Sequence, residues 1–170
     1  PNTVFICPNG HETCVVNPTG YQWFDLTKED PSYILDQSII AENKIKQFIE
    51  EIKKEYNLTH NQICLSGFSQ GCMMSLNVGL TSREKFLCIV GFSGKIIDKD
   101  NLKGRINNLT DTLLIHGDVD QVVPSIHLLE AKDFLIRNSV EVETLLMKDC
   151  DHHISLKASS TALNYILKKI

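Results

Sequence analysis

Long apolar runs, an excess of basic residues and closely spaced cysteine pairs are all missing from this sequence. None of its apolar stretches approaches the roughly 18 consecutive residues of a membrane-spanning helix, and no signal-peptide pattern is visible. Lys and Arg number 17 against 21 Asp and Glu, which gives a net charge of −4, whereas a protein that binds nucleic acid is expected to carry a basic surface. We therefore expect no transmembrane segment and no nucleic-acid partner.

The six cysteines lack the CxxC spacing of metal-binding and redox motifs. Three of them, Cys7, Cys64 and Cys88, lie inside apolar, strand-like segments, where a free cysteine behaves as a small buried hydrophobe. Disulfides are the alternative, but they are rare in reducing compartments. The pattern favours reduced thiols and a cytoplasmic protein.

Strand-like and helix-like segments alternate along the 170 residues, a length that suits one domain. In residues 37–56, apolar positions recur every three or four residues between lysines and glutamates, which predicts an amphipathic helix. Residues 86–92 are continuously apolar, as in a parallel strand covered on both faces. Further strands are predicted at 3–7, 62–65, 112–116 and 140–147, helices at 70–80, 126–136 and 156–169, and a loop at 93–110. The predicted class is α/β, with a mostly parallel sheet flanked by helices.

The strand-like run at residues 3–7 follows Pro1 with no cap or lead-in. Pro8, Asn9 and Gly10 then form a turn signal that ends the run. We therefore expect residues 1–170 to form a single domain that lacks one or more N-terminal strands.

The sequence GFSQG at residues 67–71 lies between an apolar run and a helix-like segment, which is the pattern of a nucleophile elbow. A serine hydroxyl is a weak nucleophile at neutral pH and must be exposed, positioned and paired with a base. Gly67 and Gly71 allow the close backbone approach that such a turn requires. The turn would expose Ser69 and place the N–H of Gln70 at a helix N-terminus, facing a developing negative charge.

Asp120 and His152 complete a candidate catalytic triad with Ser69. Each of the three follows a predicted strand, and ligands of open α/β sheets gather beyond the carboxyl ends of the strands. Their order along the chain, Ser, Asp, His, is that of α/β-hydrolases and differs from the orders of the chymotrypsin and subtilisin types. His152 would take the proton of Ser69, and Asp120 would orient the imidazole.

Two neighbouring residues compete for these roles, and a metal site competes for the whole group. Asp118 leaves the same strand as Asp120, and His153 adjoins His152. Zinc accepts His and Asp ligands, which here would be His116, Asp118, His152 and His153. We favour a serine elbow without a metal, because it accounts for the same residues. Asp120 is favoured over Asp118 because of the motif described below.

The only tryptophan, Trp23, lies in a cluster of aromatic residues that also contains Phe24. Such a cluster is either a plug of the core or the wall of a binding groove. Residues 31–35 (PSYIL) place apolar side chains in a segment of weak periodicity, which is either a loop anchor or a flap over a ligand. The residues alone leave both choices open.

The segments GFSQGCMM, HGDVDQVVP and DHHIS, together with PNG, NPTGYQWFDL and DPSYIL, resemble the phospholipase/carboxylesterase family of α/β-hydrolases, which includes the acyl-protein thioesterases. The resemblance implies an α/β-hydrolase fold and a serine hydrolase that cleaves carboxylic esters or thioesters without a cofactor or a metal. It implies that Ser69 is the nucleophile, Asp120 the acid and His152 the base, with the Gln70 N–H in the oxyanion hole.

The resemblance also implies an apolar groove for the acyl chain, lined by Trp23, Phe24, Leu35, Phe68 and Val122. The implied partner is a small-molecule or lipid acyl ester or thioester, or an acylated protein. Lysophospholipids are one such class, and the sequence does not separate them from other esters. A homodimer is left open.

Three features depart from the family pattern. Cys72 and Asp151 stand where the family commonly has glycine. The family also opens with a strand and an HGxG-like loop that supplies a second oxyanion N–H, and no such motif precedes Thr3 here. Loss of one oxyanion donor typically costs about 100- to 1000-fold in turnover. The alternative hypothesis is therefore a catalytically impaired hydrolase scaffold that binds acyl ligands or a protein partner through the same groove.

Overall fold

A four-stranded parallel sheet flanked by helices forms the centre of the computed structural model, which describes residues 3–170. The strands are β1 (Glu12–Thr13), β2 (Tyr21–Gln22), β3 (Cys64–Phe68), β4 (Cys88–Phe92), β5 (Thr112–Gly117) and β6 (Val142–Met147). The helices are α1 (Pro31–Tyr56), α2 (Gln70–Thr81), α3 (Lys99–Arg105), α4 (Ile126–Arg137) and α5 (Leu156–Leu167), with a 3₁₀ turn at His60–Gln62. Strands β3 to β6 lie side by side in chain order and all pair in parallel, while β1 and β2 form a small antiparallel hairpin.

The two inner strands, β4 and β5, are buried along their whole length. Their sequences, CIVGF and TLLIHG, are almost continuously apolar, as expected for parallel strands covered by helices on both faces. The outer strands β3 and β6 are partly exposed. The predicted α/β class, with a parallel sheet between helices, is therefore confirmed.

The core divides between the two faces of the sheet. One face packs against α2, α3 and α4, through buried side chains such as Leu76, Leu102 and Leu135. The other face packs against α5, through residues that include Tyr165. Helix α1 packs beside α2 and closes a third cluster, which contains Phe24. The loops at the carboxyl ends of the strands carry the candidate site.

Residues 3–7 form no strand, so the prediction of a buried strand there is wrong. Val4 and Phe5 are exposed, Phe5 to 84%, and Cys7 is exposed as well. The β-branched and aromatic residues of TVFIC favour an extended backbone, but its N–H and C=O groups need a neighbouring strand to pair with. None of the strands in the described part of the chain pairs with this segment.

Helix α1 begins at Pro31, earlier than the predicted residue 37, so residues 31–35 are its first turns and not a flap. The Asp30 carboxylate accepts the N–H of Ser32 at 2.9 Å and caps the helix, while Pro31 suits the first helical position. The weak periodicity of PSYIL concealed this start, although the Asp-Pro pair is a recognised start signal. Helix α1 spans 26 residues, and none of the helices in residues 3–170 is both long and apolar enough to cross a membrane.

The segment 93–110, predicted as a loop, contains helix α3. Asp98 caps its N-terminus by accepting the N–H of Asn101 at 2.8 Å, and Leu102 enters the core. The helix has seven residues and a single buried side chain. So short a helix leaves little apolar periodicity, which is why the sequence did not indicate it.

All six cysteines are free thiols, and the Sγ atoms of Cys64 and Cys88 lie 3.5 Å apart on neighbouring strands. Cys72, where the resembling family commonly has glycine, is buried between α2 and the sheet. A Cβ atom added at Gly91 or Gly94 would lie 2.4 or 2.5 Å from its sulfur. Burial raises the pKa of the Cys72 thiol to about 12. The larger residue is therefore accommodated because its neighbours are small, and it stays protonated at neutral pH.

Candidate active site

Strand β3 and helix α2 meet at Ser69 in a sharp turn. Ser69 has φ 53° and ψ −115°, a positive φ that residues other than glycine rarely adopt. Its N–H donates to the carbonyl oxygen of Phe92 in the neighbouring strand at 2.8 Å, and its own carbonyl oxygen accepts the N–H of Met73 at 3.2 Å. The strained conformation is therefore held from both sides, by the sheet and by the first turn of α2.

The two glycines of the GFSQG segment have different roles. A Cβ atom at Gly67 would lie 2.1 Å from the carbonyl carbon of Gly71, so only glycine fits at position 67. A Cβ atom at Gly71 would meet nothing within 4 Å. The sequence predicted that both glycines are needed for close backbone approach. The structure requires glycine at position 67 only, because position 71 has room for a side chain.

Gln70 is the first residue of α2. Because the N–H groups in the first turn of a helix have no acceptor inside the helix, the Gln70 N–H is available to donate to a bound oxyanion. The side chain is engaged elsewhere: Oε1 accepts the Trp23 N–H at 2.7 Å, and Nε2 donates to the Phe24 carbonyl oxygen at 2.7 Å. These side-chain contacts are not visible in the sequence, because the partners lie 47 and 46 residues away along the chain.

Asp120 lies in the loop after β5 with 4% of its surface exposed. Its Oδ1 accepts the N–H groups of Val122 at 2.9 Å and Val123 at 2.8 Å, and its Oδ2 lies 2.7 Å from His152 Nδ1. Burial by itself raises the pKa of this carboxyl, but the hydrogen bonds from His152 and from the two backbone N–H groups outweigh burial and lower the pKa below its ordinary value. Asp120 is therefore ionised at neutral pH.

The imidazole of His152 lies beside both Asp120 and Phe68. Since a carboxylate only accepts hydrogen bonds, Nδ1 carries the proton that it donates to Asp120, and Nε2 keeps a lone pair. The Phe68 ring packs against the imidazole, with centroids 4.7 Å apart. In residues 3–170, the hydrogen bonds of His152 include Asp120 and not the Ser69 hydroxyl. Such a base-to-nucleophile bond commonly tightens only when substrate is bound.

The residues that competed for these roles make other contacts. Asp118 accepts the N–H of Cys150 at 3.3 Å and links the loops that follow β5 and β6. His153 is exposed and pairs with Asp151. Among the described residues, no group of three or more His, Cys, Asp or Glu side chains is placed to hold a metal ion. The zinc ligands considered from the sequence are therefore not brought together.

His116, near the end of β5, contacts the loop that carries Asp120. Its Nε2 lies 2.8 Å from the carbonyl oxygen of Val123 and 3.4 Å from Asp120 Oδ2, and the residue is buried. Since a carbonyl oxygen accepts, Nε2 carries a proton that also faces the carboxylate. The sequence suggested only the role of a zinc ligand for His116. Its place directly before Gly117 in HGDVD was the available signal.

Ser69 opens into a surface cleft of about 560 Å³. The elbow, the small hairpin and the turn at residues 8–10 form its walls. The lining includes Asn9, Tyr21, Trp23, Phe68, Gln70 and Gly71. Of the residues assigned to a groove from the sequence, Trp23 and Phe68 therefore lie on the cleft wall next to Ser69.

The other three residues assigned to the groove lie elsewhere. Phe24 has 0% exposure and belongs to the core cluster against α1 and α2, so it is a core residue. Leu35 lies in α1 and outside the cleft lining. Val122 is 68% exposed in the Asp120 loop, where its N–H serves the carboxylate. The sequence did not separate Trp23 from Phe24, because the two residues are adjacent and aromatic, and only the fold decides which of them is buried.

The chain is similar in sequence and structure to known esterases and thioesterases. The model of the family described as Phospholipase/Carboxylesterase matches residues 1–170. Acyl-protein thioesterase 1 homolog 1 of Dictyostelium discoideum is 29% identical over 178 residues, which cover 98% of this chain and 76% of that protein. Acyl-protein thioesterase 1 of Saccharomyces cerevisiae is 31% identical over 155 residues, which cover 86% of this chain and 68% of that protein.

Among solved structures, the crystal structure of esterase PE8 matches this fold with a TM-score of 0.91 at 32% sequence identity. The match covers 96% of this chain and 77% of that one. The chain spans between 57% and 76% of the length of four curated relatives that it matches.

Proposed function

The chain belongs to the phospholipase/carboxylesterase family, a family of carboxylic ester hydrolases, and we propose that it cleaves acyl esters or thioesters through an acyl-enzyme on Ser69. The observation that carries this proposal is the hydrogen bond from His152 Nδ1 to Oδ2 of the buried Asp120, with the two atoms 2.7 Å apart, beside a strained serine elbow. A serine held in this way beside an oriented imidazole is the arrangement that nucleophilic acyl transfer requires.

In the first half of the proposed reaction, His152 Nε2 removes the proton of the Ser69 hydroxyl as Oγ attacks the acyl carbonyl carbon. The carbonyl oxygen becomes an oxyanion, towards which the Gln70 N–H donates. The imidazolium that forms is stabilised by the ionised Asp120. His152 then gives the proton to the leaving group, which is the oxygen of an ester or the sulfur of a thioester. The bond between this atom and the acyl carbon breaks, an alcohol or thiol departs, and the acyl group remains on Ser69.

In the second half, a water molecule takes the place of the leaving group. His152 removes a proton from this water, and the resulting hydroxide attacks the acyl carbon. Collapse of the second oxyanion breaks the bond to Ser69 Oγ, which recovers its proton from His152 and releases the carboxylic acid. Each step uses side chains, backbone N–H groups and water.

Two aromatic side chains of the cleft support an apolar acyl group as substrate. Trp23 and Phe68 line it beside Ser69, and aromatic side chains supply much of the contact area in small-molecule sites. Two relatives bear the name acyl-protein thioesterase, which supports acylated proteins as a substrate class alongside small esters and lysophospholipids. Six free thiols support a cytoplasmic site of action.

The test is labelling with an alkyl fluorophosphonate followed by turnover of p-nitrophenyl acyl esters. We expect the wild-type chain and Ser66→Ala, a matched change on the strand that leads to Ser69, to be labelled, and Ser69→Ala to be unlabelled. Equal labelling of Ser69→Ala would overturn the assignment of the nucleophile. Turnover that disappears in His152→Ala supports the enzyme. Binding of an acyl ligand without any turnover by wild type would favour the alternative, an impaired scaffold.

A further inference from the structure

The carboxamide of Gln70 holds the chain at Trp23 and Phe24 against the elbow. Strand β2 ends at Gln22, so the backbone groups that follow have no strand partner in the hairpin. Gln70 supplies both of their partners, since Oε1 accepts the Trp23 N–H and Nε2 donates to the Phe24 carbonyl oxygen, each at 2.7 Å. One side chain therefore pairs a backbone donor and a backbone acceptor of the bend that follows β2.

The two tethered residues face different surroundings. Phe24 is fixed independently, because its side chain is fully buried in the core. Trp23 lines the cleft together with Ser69 and Gln70. The ring of His11 lies beside the indole, with centroids 6.4 Å apart. The position of the indole in the cleft therefore depends on how the backbone at residue 23 is held.

An amide is the side chain that meets this requirement. It offers one acceptor and two donors in a plane, whereas a glutamate offers acceptors only and an alanine offers neither. A glutamate at position 70 would keep the bond from the Trp23 N–H and would place a carboxylate oxygen against the Phe24 carbonyl oxygen. That contact is repulsive, and the segment would have to move away from the elbow.

We propose that the Gln70 side chain is a positioning residue that sets the place of Trp23 and thereby the acyl-chain preference of the site, a role distinct from that of its backbone N–H. The preference for longer acyl chains rests on the proposed function, whereas the placement of Trp23 does not. Gln70, the residue after Ser69, thus supplies both the oxyanion donor and the support for Trp23 in the cleft wall. A shift of the elbow and a shift of the wall are coupled through that residue.

The experiment compares wild type with Gln70→Glu and Gln70→Ala, and uses Gln47→Glu, on the exposed face of α1, as the matched control. Trp23 is the only tryptophan, so its emission and its quenching by acrylamide report directly on the cleft wall. Burial lowers the pKa of His11, so measurements at pH 8 keep this neighbouring ring neutral. Circular dichroism and thermal unfolding establish that each variant is folded.

We expect Trp23 emission to shift to longer wavelength and quenching to increase in both Gln70 variants, and to remain unchanged in Gln47→Glu. We expect the ratio of kcat/KM for p-nitrophenyl octanoate to that for the acetate to fall about 10-fold, mainly through KM, since a lost wall contact acts on binding. Should Gln70→Glu fail to fold, Gln70→Ala provides the same comparison. The proposal is overturned if Trp23 emission and the octanoate-to-acetate ratio in the Gln70 variants match those of Gln47→Glu.

This design separates the proposal from the proposed function. Absence of wild-type turnover and of Ser69 labelling would remove the hydrolase assignment and, with it, the chain-length preference. The fluorescence comparison would still decide the placement of Trp23. Conversely, wild type can be an active enzyme while the chain-length ratio and Trp23 emission do not change in the Gln70 variants. That result would leave the proposed function in place and overturn the proposed role of the Gln70 side chain.

Discussion

The ring of Phe68 packs against the imidazole of His152, with centroids 4.7 Å apart and planes inclined at 43°. Phe68 ends the strand that leads into Ser69, so the residue before Ser69 also limits the rotation of the His152 imidazole. The Asp120 carboxylate fixes the imidazole at Nδ1, and the phenyl ring supports its face. The two contacts together restrict the directions in which Nε2 can point.

Replacing Phe68 by alanine is therefore expected to lower kcat while leaving the fold intact. Loss of the aromatic contact frees the imidazole to rotate, and misplacement of a catalytic group by about 1 Å costs up to about 100-fold, so we expect a loss of about 10-fold. Phe5→Ala, at an exposed phenylalanine remote from the triad in sequence, is the matched control. Steady-state turnover of p-nitrophenyl esters measures both, and equal rates in the two variants would contradict this role.

Asp120→Asn should abolish most activity, because an amide at this position no longer favours the imidazole tautomer with its proton on Nδ1. The corresponding change in a serine protease triad lowers kcat by about 10,000-fold, and we expect a loss of at least about 1000-fold here. Asp118→Asn, two residues earlier, is expected to cost less than about 3-fold, because the Asp118 side chain accepts the Cys150 N–H and an asparagine at this position keeps an oxygen that can accept the same bond. Rates of turnover and of fluorophosphonate labelling distinguish the two carboxylates. A more damaging Asp118→Asn would reverse the assignment.

Gly67→Ala and Gly71→Ala are expected to differ sharply in stability. The added methyl group at position 67 would meet backbone atoms of Gly71 and Cys72 at 2.1–2.6 Å, so we expect a loss of at least about 3 kcal/mol in the free energy of unfolding. At position 71 it meets nothing, and alanine in a helix is favoured over glycine by up to about 1 kcal/mol. Urea denaturation measures both. A stable Gly67→Ala protein would show that the elbow relaxes more easily than its geometry implies.

Glu42 is a buried carboxylate that joins three helices. From α1 it accepts hydrogen bonds from Lys46 at 2.8 Å, from Thr81 of α2 at 2.6 Å and from Arg105 of α3 at 2.9 and 3.0 Å. Burial by itself raises its pKa, but the bonds from Lys46, Thr81 and Arg105 outweigh burial and lower the pKa below its ordinary value. The folded protein therefore holds this carboxylate ionised more firmly than the unfolded chain does.

The stability that Glu42 confers should consequently depend on pH. It is fully present above the unfolded pKa of about 4.3 and is lost as the pH falls through the lower folded pKa, because the unfolded chain takes up the proton first. Glu42→Gln leaves the two cations without their counter-charge, and we expect it to lower the free energy of unfolding at pH 7 by about 3 kcal/mol. Urea denaturation at pH 7 and at acidic pH should show a smaller acid loss in Glu42→Gln than in wild type. Glu51→Gln, at an exposed position on the same helix, should retain the wild-type pH dependence.

The predicted class and the family resemblance rested on signals that are local in the sequence. The apolar run at residues 86–92 is an inner strand because covered parallel strands are apolar on both faces, and the GFSQG segment is a strand-to-helix turn because its residue types suit one. These features need no knowledge of distant parts of the chain. The same alternation of strands and helices placed Ser69, Asp120 and His152 each after a strand, and therefore at one edge of the sheet.

Several of the errors lie where a distant contact decides the outcome. The residues at 3–7 favour an extended backbone, but the described structure offers them no partner strand, and Phe5 is exposed. Phe24 and Trp23 are adjacent and both aromatic, yet only the packing of α1 and α2 determines which one enters the core. The contacts of the Gln70 and His116 side chains likewise depend on the fold and have no periodicity that a sequence could display.

The packing of Cys72 against Gly91 and Gly94 makes three positions dependent on one another in evolution. While position 72 holds a cysteine, alanine at 91 or 94 would collide with its sulfur at about 2.5 Å. With glycine at position 72, that particular barrier is absent at both sites. The order in which substitutions arise therefore decides which of them are viable, so the same glycine-to-alanine change can be damaging in this chain and tolerated in a relative that differs at one helix position.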